Sequence, residues 1–172
     1  GLGLFGEFVD VPWENTQQML EIDMIAVSHL THLFLPGMLE RKYGYILFIA
    51  SIGSFQPTPT YAAYSAAKSY ILSFGEALHF ELRGTGVHCT VLCPGVTRTE
   101  FHRVAGQRLT LYQRLSIMDS AQAARIGLKA LFRGRPSVVA GWFSSTFAFL
   151  TRFMSRQFLA WLAYLAMKEP PA

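Results

Sequence analysis

A chain of 172 residues is long enough to bury one sizeable core, and 51% hydrophobic against 15% charged residues excludes an intrinsically disordered chain. The net charge of +4 is unevenly spread: residues 1–100 carry five Lys/Arg and nine Asp/Glu, net −4, whereas residues 101–172 carry ten and two, net +8. A basic half can meet anionic lipid or nucleic acid, but no nucleic-acid-binding motif accompanies it and no nucleic-acid partner is expected.

The first residues, Gly1-Leu2-Gly3-Leu4-Phe5-Gly6, spell G-x-G-x-x-G. That motif cradles a dinucleotide only between a strand and a helix; no strand precedes Gly1 and no helix opens at Gly6, so it is not read as a phosphate turn. Pro12 suits the first turn of a helix, and Met19, Ile22, Ile25 or Ala26, His29 and Leu33 recur at helical spacing up to about Arg41. Pro36 should bend or loosen the last turns of this helix, and Gly44 should end it. His29 and His32 lie one turn apart without the glutamate of a helical zinc motif, and no metal site is expected.

The apolar run Tyr45–Ala50 reads as a buried strand. A loop over residues 53–60 follows, then a helix from Tyr61 to Arg83 with small residues at Ala62, Ala63, Ala66, Ala67 and Ser73. Small faces let a helix approach a sheet or another subunit closely. Gly84 and Gly86 should end it before the strand Val87–Cys93. Cys89 and Cys93 share one face of that strand, too far apart for a disulfide. Without a disulfide framework or an amino-terminal signal segment, a reducing, cytoplasmic setting is expected.

Residues from Thr99 to about Leu115 form a mixed segment rich in arginine. Asp119 is an N-cap candidate for a helix reaching about Phe132, and Ser137–Ala140 is a short strand. Strands and helices alternating at these spacings predict an α/β domain with a parallel, doubly wound sheet over residues 1–141. The tail, 142–172, holds eight aromatics up to Met167. Arg152 and Arg156 interrupt it too early for a spanning helix. An amphipathic helix remains, lying either on a membrane surface through residues 142–168 or over a substrate pocket or second subunit.

Ser51 and the stretch Tyr64-Ser65-Ala66-Ala67-Lys68 carry the chemistry. Tyr64 and Lys68, four apart, share one face of a helix, and Ser51 ends the preceding strand. A serine hydroxyl can bond a substrate carbonyl or alcohol, and a phenol can exchange a proton with the same oxygen. An ammonium nearby stabilises the phenolate, which should let the tyrosine act nearer neutral pH than its ordinary value of about 10.

Ser51-Ile52-Gly53, then Tyr61–Lys68, then Cys93-Pro94-Gly95-Val96-Thr97-Arg98-Thr99 resemble the short-chain dehydrogenase/reductase family, over residues 1 to about 141. The resemblance implies a Rossmann-type oxidoreductase that interconverts a carbonyl and an alcohol with NADP or NAD. Ser51, Tyr64 and Lys68 would be catalytic, Lys68 would also bond the nicotinamide ribose, and Pro94, Gly95, Thr97 and Thr99 would line the nicotinamide end. Asp23 falls where the family usually has a catalytic asparagine. Ionised aspartate only accepts hydrogen bonds, and a buried one must be neutral, paired or hydrated. The family's glycine-rich turn is missing, so the chain reads as the carboxyl-terminal two-thirds of such a fold. The alternative is a truncated, catalytically silent relative acting as an interaction or membrane-associated module. A homo-oligomer through the helices around 13–41 and 61–83 is expected.

Overall fold

The computed structural model describes residues 2–98 and 117–167. The first helical stretch runs as three contiguous pieces: α1 (Trp13–Leu20), a π turn (Glu21–Ala26) and α2 (Val27–Glu40). Pro12 stands at the N-cap, one residue before the first turn in which it was expected. Pro36 stays inside α2; the irregularity falls at the π turn instead. Gly44 does not stop the helix. The reversal is made by Lys42, at φ 53°, and Gly44 opens β1 (Gly44–Ile49), where a Cβ would lie 2.6 Å from the Met38 side chain.

β1 pairs in parallel with β2 (Val87–Pro94), in register from Gly44 opposite Val87 to Ile49 opposite Leu92. A later strand, Ser137–Ala140, pairs in parallel with the other edge of β2, Val91 opposite Ser137. Between β1 and β2 runs α3 (Ala62–Glu81). A small second sheet joins β3 (Thr97–Arg98) to β4 (Met118–Asp119). Asp119 then caps α4 (Ser120–Phe132), its carboxylate accepting from Ala121 N at 3.1 Å. The strand Ser137–Ala140 is β5.

Both faces of the sheet are covered, which is why its strands are apolar on both sides. On one face Phe48, Cys89, Val91 and Cys93 pack against Ile71, Leu78 and Leu82, with Val27, Leu35 and Met38 beside them. On the other, Leu47 and Leu92 meet Ala123, Ile126 and Ala140. This is the doubly wound α/β arrangement, and both cysteines are buried and free. Of the small residues on α3, Ala67 is buried but Ala62, Ala66 and Ser73 are exposed. The close approach is made by Gly75, where a Cβ would collide with Val91 and Phe48.

The tail forms two helices rather than one, α5 (Trp142–Leu150) and α6 (Arg156–Met167), joined by a 3-10 turn (Thr151–Phe153). The Thr151 hydroxyl donates to the Ala148 carbonyl at 2.8 Å and Met154 turns extended. Ser155 then restarts the helix by accepting from Phe158 N at 3.2 Å. Trp13–Glu40 is the stretch long and apolar enough to cross a membrane among the described residues. It nonetheless buries Thr16, Met19, Asp23 and Thr31 against the domain, while Ile22, Ile25, Leu30, Leu33 and Phe34 are exposed.

Candidate active site

Beyond β1, Ala50 N still bonds Leu92 O at 2.8 Å, so the chain leaves the sheet at Ser51. Ser51 caps a short 3-10 turn (Ile52–Phe55): its Oγ accepts from Gly53 N at 3.1 Å, and its own N–H donates to Ser54 Oγ at 3.3 Å. The Ser69 hydroxyl donates to the Ser54 carbonyl at 2.9 Å, pinning this turn to α3. One turn of α3 then presents Tyr64 and Lys68. The Tyr64 phenol hydrogen-bonds the Ser51 side chain, and the Lys68 ammonium lies 5.7 Å from the Tyr64 ring centre. The three meet because a strand end and one turn of the next helix abut.

Lys68 is only 6% exposed and Asp23 3%. Lys68 Nζ sits 3.2 Å from Asp23 Oδ2 and donates to the Ile49 carbonyl at 3.4 Å. Of the states open to a buried aspartate at 23, the structure selects the paired one, with Lys68 as partner. The pairing was not readable from sequence, because it depends on the π turn that carries Asp23.

Burial pushes the Tyr64 phenol up to about 12; the Ser51 hydrogen bond pulls the other way and the Asp23 carboxylate adds to the rise. A shift toward neutrality, expected from Lys68 alone, is not what the structure gives, because the phenol is buried and Asp23 stands beside the ammonium. Burial likewise raises the Cys93 thiol to about 12, with Glu76 adding and the Ser51 backbone opposing, and the Cys89 thiol to about 11. These shifts set an alkaline limit. A group whose folded value is raised contributes stability that is whole below its unfolded value and is lost as pH climbs toward the folded one. Both thiols begin to lose it above about pH 9 and Tyr64 above about pH 10, so the urea midpoint at pH 10.5 should lie clearly below that at pH 8. Equal midpoints would contradict the burial of these groups.

A cavity of about 1020 Å³ opens beside the trio. Ser51, Tyr64, Lys68, Pro94, Gly95 and Thr97 all line it, as do Gln56 and Thr58 of the loop after Ser51. The Thr97 hydroxyl donates to the Gly95 carbonyl at 3.1 Å, and a Cβ at Gly95 would displace the Ser144 hydroxyl of α5. Thr99 lies outside the described residues. Gly3 also lines the cavity, but Gly6 N bonds Thr60 O at 2.9 Å and the next helix begins only at Trp13, so the opening glycines form no helix-mounted phosphate turn. Most of the remaining wall is apolar, and the tail supplies much of it through Phe143, Phe147, Leu162 and Met167. The aromatic spacing of the tail marked an amphipathic element without revealing what it covers.

The chain belongs to the short chain dehydrogenase family, whose model matches residues 1–109. An uncharacterized oxidoreductase of Myxococcus xanthus (strain DK1622) is 29% identical over 77% of this chain and 50% of its own length. A very-long-chain 3-oxoacyl-CoA reductase of Macaca fascicularis is 32% identical over 80% of this chain and 45% of its own. The chain thus spans about half the length of these relatives. The crystal structure of a short chain dehydrogenase from Burkholderia cenocepacia J2315 in complex with NADP superposes with a TM-score of 0.77 at 22% identity, covering 95% of this chain and 65% of the other. That likeness fixes the fold as the dehydrogenase α/β fold.

Proposed function

We propose that the protein is an NAD(P)-dependent oxidoreductase that interconverts a bulky apolar carbonyl compound and its alcohol. The observation that carries this is the Tyr64 phenol, hydrogen-bonded to Ser51 at the wall of a large apolar cavity with Lys68 one turn away. In the reducing direction the Ser51 hydroxyl donates to the substrate carbonyl oxygen and orients it. The Tyr64 O–H passes its proton to the same oxygen, and in the oxidising direction the phenolate takes the alcohol proton back. A nicotinamide dinucleotide, NADP or NAD, supplies or accepts the hydride at the carbonyl carbon when bound. The donor set fits its nicotinamide end: Lys68, Pro94, Gly95 and Thr97 share the cavity with the phenol and would hold it there.

The substrate class follows from the wall. Phe143, Phe147, Leu162 and Met167 face the same space as Tyr64, so the tail is read as the cover of the substrate pocket. Its basic residues are read as solvated surface rather than as a membrane anchor. A second copy of the chain is the natural cover for the exposed apolar side of Trp13–Glu40. The alternative of a catalytically silent relative is disfavoured by an intact trio. Full-length protein, given NADPH or NADH and a panel of ketones, should consume reduced cofactor at least tenfold faster with large aryl or long-chain ketones than with acetone. Absence of consumption with every ketone would refute the reading.

A further inference from the structure

We infer that Asp23, carried on the π turn, is a positioning residue that withholds the charge of Lys68 from the Tyr64 phenol. The inference rests on the reading of Tyr64 as the proton-exchanging group and adds what controls it.

A π turn inserts one residue into a helix and re-aims the side chains around it, and such turns recur at functional sites. Here it spans Glu21–Ala26 and delivers a carboxylate into the space behind α3. Of the three N–H bonds an ammonium carries, Lys68 directs two to Asp23 Oδ2 at 3.2 Å and the Ile49 carbonyl at 3.4 Å. Both acceptors belong to the protein interior. An ammonium with a carboxylate at that distance is close to electrically neutral seen from the phenol, and both partners are more than nine-tenths buried, where water screens little. An asparagine would leave the ammonium its full charge.

Among the described residues, Asp23 and Lys68 are the charges seen beside Tyr64. Ser51 contributes a hydrogen bond and Tyr61 a ring edge. The Cys93 thiol, beside the Ser51 backbone on β2, is raised to about 12 and stays protonated, and Glu76 acts on that thiol. Asp23 is the charge that raises the phenol, after burial itself.

The test is the pH dependence of full-length protein, read in two ways. In wild type, kcat/KM for alcohol oxidation should still be climbing at about pH 10, the ordinary tyrosine value. In Asp23→Asn the limb should move down by about one pH unit or more, raising oxidation at pH 8 about tenfold, while Asp23→Glu keeps the wild-type limb. The second reading needs no cofactor: the phenolate absorbance that disappears in Tyr64→Phe should titrate above the ordinary tyrosine range in wild type and lower in Asp23→Asn. A residue of purely structural role would lower activity equally at all pH values and leave both limbs in place, which would overturn the inference. Should Asp23→Asn not fold, a wild-type phenol that titrates at or below the ordinary tyrosine value overturns it equally. Oxidation that survives undiminished in Tyr64→Phe would instead refute the reading of Tyr64.

Discussion

Replacing Tyr64 by phenylalanine is expected to slow carbonyl reduction by about a hundredfold or more, the scale on which a positioned proton donor contributes. The substitution keeps the ring, so its edge contact with Tyr61, centroids 5.8 Å apart, persists. It removes the hydroxyl that meets Ser51 and would meet the substrate oxygen. The half-buried phenol, raised to about 12, is neutral at ordinary pH, so its loss leaves no stranded charge and the melting temperature should move little. A folded Tyr64→Phe protein that retains near-full turnover with a bulky ketone would remove Tyr64 from the reaction.

Lys68→Met should do more than stop turnover. It strands the Asp23 carboxylate, 3% exposed, without the ammonium that lies 3.2 Å away. Breaking a buried pair by deleting one partner costs about 3–5 kcal/mol, because the remaining charge keeps its desolvation without its counter-charge. Urea denaturation should report a loss of that order. The double variant Lys68→Met/Asp23→Asn should recover most of it, since neither group is then charged. A single variant as stable as wild type, or a double variant no better than the single, would mean that the pair contributes nothing to the fold.

The trio was legible in sequence because its chemistry is encoded in spacing. A spacing of four positions sets Tyr64 and Lys68 one helical turn apart, and an apolar run followed by Ser51 marks a strand that ends at a site. The parallel sheet was legible from strands that alternate with helices at crossover spacing. What the sequence hid depends on backbone irregularity and on distance. The pairing of Asp23 with Lys68 needs the π turn, which no periodicity announces, and that pairing reverses the effect expected of Lys68 on the phenol. Gly75 carries no signal in the helical pattern, yet Val91 and Phe48 leave no room for a Cβ. Phe143 and Leu162 lie on either side of the break at Thr151–Ser155, yet both line the cavity, a convergence no local pattern announces.

The most direct measurement of the central claim is isotopic. Full-length protein is given a bulky apolar ketone and reduced dinucleotide, NADPH or NADH, carrying deuterium at its transferable position. The account predicts an alcohol bearing one deuterium on the former carbonyl carbon and a solvent-derived proton on its oxygen, formed about a hundredfold more slowly or worse by Tyr64→Phe. Recovery of unlabelled ketone and unspent cofactor, from protein that is folded, would contradict it and identify the chain as a silent member of its family.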